Sequence, residues 1–498
     1  MALRLYNTLS GRVEEFHPLE GNLVRIYTCG PTVYNYGHIG NYRTFVFQDI
    51  LRRHLKYRGY KVMQVMNLTD VEDKIIREAR AAGLPIREFT QKYIDAFNVD
   101  RKLLNLEDVE FLVRATDHIA DMVGLVQTLE QKNFAYASDG SIYFRVEAFP
   151  EYGKLSKINL SGNRAGARVD ADEYEKADAR DFVLWKAAKP DEDSWDTPLG
   201  RGRPGWHLEC SVMAMKYLGP TLDIHSGGTD LIFPHHENEI AQSEAATGKP
   251  FARFWIHGEH LVVNGQKMSK SLGNFYTLRD LIGQGFKPSA IRYLLAAVPY
   301  RKPLNFTFEG LEQAEQSLER LRNFRQRLTA EKFPPGSNPG LAERAQIARK
   351  GFEEGLDDNL NTAEALAAVF ELVREGNTAM DRGEFREAER PAYLDVLARW
   401  NRIFAVIDDE DYAKLRQYGF VGGMSTAPSP GAASTDGRKP TGLLVEAISE
   451  DEIERRVSER ERARHSGRYA EADRIRNELL GAGVIIEDTK AGTRWKRK

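Results

Sequence analysis

The sequence predicts an α/β Rossmann-like domain interrupted by an insertion, followed by a helical bundle and a small C-terminal α+β module. Three observations lead there. Asn22–Thr28 reads as a strand, and after a loop rich in Gly, Pro and Asn the residues Phe47, Ile50, Leu51 and Leu55 recur at helical spacing before the β-like run Lys61–Met66. Short β-like runs return at Leu222–His225 and Phe254–His257, so segments far apart in the chain can share one sheet. Beyond residue 300 the period becomes helical, with Leu311, Leu318, Leu321 and Leu328 set among charges.

Taken in order, the loop Cys29–Asn41 joins the first strand to the first helix. The stretch of about 125–200, which contains Asp139-Gly140, reads as an insertion between the halves of the α/β domain, and that domain is expected over 1–315. A bundle over 316–421 is broken at Phe333–Gly340, and Asn361 with Glu364 three residues on marks a helix start. Residues 422–442 are dense in Gly, Ser, Ala, Thr and Pro and poor in large apolar side chains, the composition of a flexible linker before a module at 443–498. No repeat of solenoid period is evident.

Composition narrows the function. With 498 residues, 42% hydrophobic and 29% charged, the chain suits a soluble multidomain protein, and no apolar run approaches the roughly 18 residues of a membrane span. The start Met1–Asn7 lacks a secretory pattern, so the cytoplasm is the expected location. Lys and Arg number 70 against 73 Asp and Glu, a net charge of −3, so a nucleic-acid partner must be held by local patches. Two cysteines, Cys29 and Cys210, are too few for a disulfide framework and leave one bridge, two buried thiols or a metal pair open.

Two segments carry phosphate chemistry. Tyr34–Asn41 lies between a strand and a helix N-terminus, where unpaired N–H groups and the helix dipole favour an anion, and Gly37 and Gly40 let a nucleotide approach the backbone. Lys267-Met268-Ser269-Lys270-Ser271 places two ammonium groups in a short segment able to close over a triphosphate. A lone Gly-bearing turn or a solvated basic loop would be the plain reading of each; their pairing within one α/β pattern points to ATP. Together they resemble the HIGH and KMSKS signatures of the class I aminoacyl-tRNA synthetases.

The resemblance narrows to the cysteinyl-tRNA synthetase family through Cys29–Tyr34, Gly205–Cys210 and Phe233–Glu239, and it covers nearly the whole chain. It implies one zinc held by Cys29, Cys210, His235 and Glu239. The donor chemistry agrees: thiolate, imidazole and carboxylate are good zinc ligands, and His235 and Glu239, four apart, share a helix face, whereas His236 pairs with Ile240. The same four could build a structural zinc; Cys29, directly ahead of the ATP loop, favours a metal beside the reacting carboxylate. Such a zinc rejects serine by coordination, because a hydroxyl is a poorer ligand than a thiolate.

The resemblance further implies Gly30 and Trp206 in the amino-acid pocket, Thr69 and Asp230 near the ammonium group, and Gly227 and Gly228 under the adenosine; His225, His236 and His257 read as local hydrogen-bonders or pocket residues. It implies two-step charging of tRNA(Cys) with L-cysteine and ATP by a monomer. Catalysis would come from positioning and charge stabilisation by His38, Asn41, Lys267 and Lys270, with magnesium on the phosphates. One departure stands out: the family's first signature ends in a second His, where this chain has Asn41, which donates a neutral hydrogen bond but carries no charge.

Residues 451–498 hold 13 Lys and Arg against 10 Asp and Glu, a basic patch in an acidic chain. Gly492–Lys498 combines Trp495 with Arg494 and further cations, the pairing suited to an unpaired RNA base and its phosphates, and it resembles the end of the family's anticodon-binding module. A ligase of the mycothiol pathway resembles the same catalytic domain but has no anticodon to read, so this module speaks against it. A zinc-containing RNA-binding protein without catalysis is opposed by the paired ATP signatures.

Overall fold

The computed structural model describes residues 2–158, 180–189, 192–420, 450–466, 468–481, 484–489 and 492–497. The expected linker at 422–442 and part of the insertion lie outside the described residues.

An N-terminal hairpin, β1 (Arg4–Asn7) and β2 (Arg12–Glu15), precedes β3 (Leu23–Thr28), α1 (Ile39–Tyr57) and β4 (Lys61–Leu68). Then come α2 (Asp73–Ala82), α3 (Ile86–Leu103), β5 (Phe111–Arg114) and α4 (Ile119–Gln131). The insertion folds as its own sheet of β6 (Ala135–Ser138), β7 (Ser141–Phe144), β8 (Phe182–Ala187), β9 (Trp195–Thr197) and β10 (Gly200–Pro204). Asp139 and Gly140, both with positive φ (47° and 75°), make the two-residue turn of its first hairpin. The α/β domain resumes with α5 (Trp206–Leu218), β11 (Leu222–Gly228), α6 (Glu237–Thr247) and β12 (Ala252–Gly258).

The central sheet is all parallel, in the order β12-β11-β3-β4-β5. The chain therefore runs outward one way from β3 through β4 and β5, and the other way through β11 and β12. The crevice between the carboxyl ends of β3 and β11 is the switch point at which such sheets take ligands. Strand alternation explains the packing: Val24 and Ile26 point to Phe47, Leu51 and Leu55 of α1, while Tyr27 points to the opposite core beneath α4, α5 and α6.

A short sheet follows, with β13 (Leu261–Val263) between β14 (Gln266–Lys267) and β15 (Leu304–Phe306), and with α7 (Leu278–Gly283) and α8 (Pro288–Ala297) between β14 and β15. Strand structure thus persists just past residue 300. The helices α9 (Phe308–Ala330), α10 (Pro339–Asp357), α11 (Thr362–Asp381), α12 (Arg390–Phe404) and α13 (Asp411–Gln417) come next. Because α9 starts at Phe308, a break at 315 falls inside a helix; Leu311, Leu318, Leu321 and Leu328 all face the core shared with α1 and α8. Asn361 caps α11 by accepting from the Glu364 N–H, as the sequence predicts. The last module has α14 (Glu450–His465), α15 (Tyr469–Gly481) and the antiparallel hairpin β16 (Val484–Thr489) and β17 (Gly492–Arg497).

Candidate active site and metal centre

The loop after β3 is shorter than its sequence suggests. Helix α1 begins at Ile39, so Asn41 is not loop but the third residue of the helix, and His38 is its cap. The two form a reciprocal pair: His38 Nδ1 accepts from the Asn41 N–H (3.2 Å), and Asn41 Oδ1 accepts from the His38 N–H (3.1 Å). In a neutral ring whose Nδ1 accepts, the proton sits on Nε2. Burial, reinforced by the Lys270 ammonium and only partly opposed by Asp230, lowers the His38 pKa to about 4. His38 is therefore a neutral ring at physiological pH and presents an N–H donor rather than a charge. Asn41 spends its oxygen on the cap and keeps its amide N–H for an anion.

The Lys-rich segment is docked on this corner. Lys267 ends β14 and Lys270 lies exposed in the loop that follows, its Nζ 5.3 Å from the Phe275 ring centre. Phe275 in turn meets His38 edge-on at 5.2 Å, and the Ile39 N–H donates to the Tyr276 carbonyl (3.0 Å). The loop closes on itself where Asn274 accepts from the Ser269 N–H (2.8 Å) and donates to the Lys267 carbonyl (3.1 Å). Space is tight beneath it. A Cβ on Gly40 would lie 3.0 Å from the His38 ring and 3.2 Å from Met268 Cε, and one on Gly37 would lie 2.8 Å from the Tyr42 hydroxyl. Packing alone therefore favours glycine at both positions.

At the other side of the switch point, Cys29 directly follows β3, Cys210 projects from α5, and His235 and Glu239 flank the start of α6. Their ligand atoms lie within 4.8 Å of one another, all buried. His235 Nε2 is 3.0 Å from Glu239 Oε1, the contact expected from their spacing. Its other nitrogen, Nδ1, bonds His207 Nδ1 at 2.9 Å, and its ring stacks on Trp206 at 4.1 Å. Trp206, 38% exposed at the start of α5, thus lies against the donor cluster.

His236 departs from the expectation that it turns away with Ile240. The turn Ile232–His236 is wide and interrupted at Phe233, whose φ of −137° and ψ of 132° are extended, so both consecutive imidazoles face inward. His236 Nε2 lies 3.3 Å from Cys29 Sγ, and its Nδ1 bonds His257 Nε2 (2.8 Å). His257 Nδ1 in turn bonds the Thr8 hydroxyl (2.8 Å), and His225 Nε2 bonds Glu239 Oε2 (2.8 Å).

The charges follow from burial and mutual contact. Burial pushes the Cys29 thiol up, reinforced by its bond to Cys210 and by the neighbouring anions Cys210 and Glu239. Burial also opposes the Cys210 thiolate, but the Cys29 hydrogen bond and the charge of His235 outweigh it and bring its pKa to about 6. Glu239 is buried too, yet His225 and His235 hold it down at about 2, and Glu239 and Cys210 lift His235 to about 10 against burial. Burial and then the charge of His235 drive His207 well below the usual imidazole range. The cluster thus favours the Cys210 thiolate and the Glu239 carboxylate and keeps protons on Cys29 and His235, which a bound dication would have to displace.

Gly30 accompanies Cys29 for a steric reason. A Cβ there would lie 1.8 Å from the Asn67 carbonyl oxygen, and its N–H donates to Asn67 Oδ1 (2.9 Å). Asn67 Nδ2 then donates to the Thr69 hydroxyl (3.0 Å), so Asn67, absent from the sequence-derived set, ties Gly30 to Thr69. Its signal was a buried polar residue, one of two with Gln64, in the strand β4. His207, quoted only within a motif, and Phe275 were likewise missed. Asp230 is exposed just after β11, and a Cβ on Gly228 would lie 2.3 Å from its carboxylate, while one on Gly227 would meet His236 at 2.8 Å. Arg494 and Trp495 lie on β17; Trp495 pairs with Ile486 and packs, partly buried, on the module's core of Ile453, Val457, Ile475, Leu479 and Val484. Tyr469 on α15 is 66% exposed.

A parallel sheet with a capped phosphate loop, a docked Lys-rich segment and an inserted subdomain defines a class I tRNA synthetase. Residues 15–316 match the model of the class I (C) tRNA synthetase catalytic domain, 351–407 the DALR domain, and 450–495 the cysteinyl-tRNA ligase anticodon binding domain. Similar curated proteins include the cysteine–tRNA ligases of Solibacter usitatus, 55% identical over 498 residues, and Koribacter versatilis, 53% identical over 500, each alignment covering 100% of both chains. The chain belongs to the cysteine–tRNA ligase family. Among solved structures, methionyl-tRNA synthetase of Mycobacterium tuberculosis in complex with methionyl-adenylate shares the fold, with a TM-score of 0.59, 16% identity and coverage of 79% of this chain and 93% of that one. Full-length likeness, anticodon module included, leaves no room for the mycothiol-type reading.

Proposed function

We propose that the chain activates L-cysteine with ATP and transfers it to the 3′ end of tRNA(Cys), with a zinc ion at Cys29, Cys210, His235 and Glu239 choosing cysteine over serine. The observation that carries this reading is the convergence of those four donors at the end of β3, immediately ahead of the phosphate loop. Two sulfurs, an imidazole and a carboxylate fit zinc. When bound, zinc supplies a Lewis acid with room for the substrate sulfur, for which a hydroxyl is the poorer ligand.

In activation, a carboxylate oxygen of cysteine attacks the α-phosphorus of ATP and pyrophosphate leaves. His38 Nε2–H, the Asn41 amide and the first N–H groups of α1 would donate to phosphate oxygens, while Lys267 and Lys270 close from the opposite side. Gly227 and Gly228 leave the floor free for adenosine, Thr69 and Asp230 would receive the substrate ammonium, and Trp206 limits the pocket. A ribose hydroxyl of the tRNA end then attacks the carbonyl carbon and AMP leaves. Magnesium would accompany the ATP phosphates. The helical region and C-terminal module would hold the tRNA, through Arg494 and Trp495 and through the exposed Tyr469, a ring free to stack on a base.

A monomeric enzyme of the cytoplasm is the accompanying expectation; among the described residues no helix is long and apolar enough to cross a membrane. Pyrophosphate exchange run with cysteine and with serine, followed by charging of tRNA(Cys), tests the whole reading. Cysteine-dependent exchange and charging are expected, with serine inert; equal exchange with serine would remove the metal's selective role.

A further inference from the structure

The helix that follows the Lys-rich segment is fastened to the phosphate loop by one side chain. Thr277 caps α7, and from the first turn of that helix Arg279 reaches across to the loop and to α3 beside it. Its guanidinium carbon lies 4.9 Å from the ring centre of Tyr36, a residue of the loop, and 5.4 Å from that of Phe420, which follows α13. It also forms an ion pair with Asp100 of α3 (3.0 Å) and donates to the Ala96 carbonyl (3.2 Å). The other oxygen of buried Asp100 accepts from the buried Tyr42 hydroxyl (2.7 Å), the same hydroxyl that a Cβ on Gly37 would meet. Arg279 therefore reaches the phosphate loop twice, directly at Tyr36 and through Asp100 and Tyr42 beneath Gly37.

We infer that Arg279 is a positioning residue for adenylate formation: it pins the start of α7 to the phosphate loop and so sets where Lys270 stands over the ATP phosphates. The inference rests on the activation chemistry proposed above. The Lys-rich segment is anchored at its two ends. Lys267 pairs with Val262 in the short sheet, and at the far end Tyr276 accepts from the Ile39 N–H just before α7 begins. Between them Ser271, Leu272 and Gly273 are exposed, and Asn274 braces the loop only against Ser269 and Lys267 of the same segment. A shift of α7 therefore carries Lys270 with it. A guanidinium suits the anchoring task, because its flat face lies against rings while its N–H groups meet a carboxylate and a carbonyl; an ammonium cannot do both. Burial raises the Asp100 pKa and Arg279 opposes it, so Asp100 without its partner takes up a proton and the fold is expected to stand.

The test is cysteine-dependent pyrophosphate exchange by the full-length parent, Arg279→Gln, Lys270→Ala and the double variant, with thermal unfolding of each. Arg279→Gln should lower kcat by about 10²-fold, the cost of a shift of about 1 Å at a reacting centre, while the cysteine KM stays within about threefold of the parent. Because Arg279 acts through Lys270, the double variant should be no more than about threefold slower than Lys270→Ala alone. Losses that multiply in the double variant, or a lowered unfolding midpoint with kcat unchanged, would overturn the inference and leave the activation chemistry standing. If Arg279→Gln does not fold, Asp100→Asn enters the same cycle: it keeps an acceptor for Tyr42 but removes the ion pair, and a loss of about tenfold that again vanishes in the Lys270→Ala background is expected, with multiplied losses contradicting it. A parent without cysteine-dependent exchange would instead sink the proposed function itself.

Discussion

Replacing Gly30 with Ala is a small change with a large expected consequence. The added Cβ would stand 1.8 Å from the Asn67 carbonyl oxygen and 2.9 Å from Met66 Cγ, where ordinary contact begins at 3.4 Å. A backbone carbonyl in a five-stranded sheet cannot swing aside, so the ends of β3 and β4 must part by about 1.5 Å. That movement breaks the bond from the Gly30 N–H to Asn67 and releases Thr69, displacing the pocket floor next to Cys29. Overpacking of this kind destabilises by roughly 1–3 kcal/mol, whereas a shift of about 1 Å at a reacting centre costs about 10²-fold in rate. Gly30→Ala should therefore fold with a modestly lowered unfolding midpoint, yet lose about two orders of magnitude in cysteine-dependent pyrophosphate exchange. Exchange within a few-fold of the parent would refute the steric account of this corner.

Other outcomes follow from the same geometry. Lys270→Ala should lower the activation rate by about 10²–10³-fold while barely changing the ATP KM, because a mobile cation acts on charge developing in the transition state; an effect confined to KM would contradict this. Arg292 is fully buried and bonds Asp49, the Phe404 carbonyl (2.6 Å) and the Leu104 carbonyl (2.9 Å), so Arg292→Met should destabilise by about 3–5 kcal/mol in urea unfolding. Burial raises the Asp49 pKa but Arg292 and Arg53 outweigh it, so the folded value lies below the unfolded one. This contribution is present above the ordinary carboxylate pKa and is lost as pH falls through the folded value, and the variant should show a shallower acid loss than the parent. Tyr469→Ala should weaken tRNA(Cys) charging by about 1–3 kcal/mol without altering pyrophosphate exchange. Trp495→Ala should also lower the melting temperature of the C-terminal module, because that ring is part of its core.

That Cys29, Cys210, His235 and Glu239 meet was legible because their types are scarce: the chain has two cysteines, and a His and Glu four apart share a helix face. The orientation of His236 was not, since helical spacing presumes a regular turn and Phe233 is extended. The start of α1 was misplaced for a related reason. His38 is an uncommon cap, and only its reciprocal bond with Asn41 shows that the helix starts at Ile39. That same bond explains how Asn41 can stand where the family has a second His: the amide caps the helix and still offers a donor. Composition could not tell which side of a strand faces outward at Trp495. The cations around it suggest RNA, but its register opposite Ile486 turns the ring toward the core. Tyr469 on α15 is an exposed aromatic of the same module.

The central claim is that the zinc at Cys29, Cys210, His235 and Glu239 selects the substrate by its sulfur. X-ray absorption at the zinc edge, on the chain carrying one zinc and then saturated with cysteine, measures this most directly. Two sulfur neighbours at about 2.3 Å should become three with cysteine and remain two with serine. A sulfur count that stays at two when cysteine is bound would contradict the account.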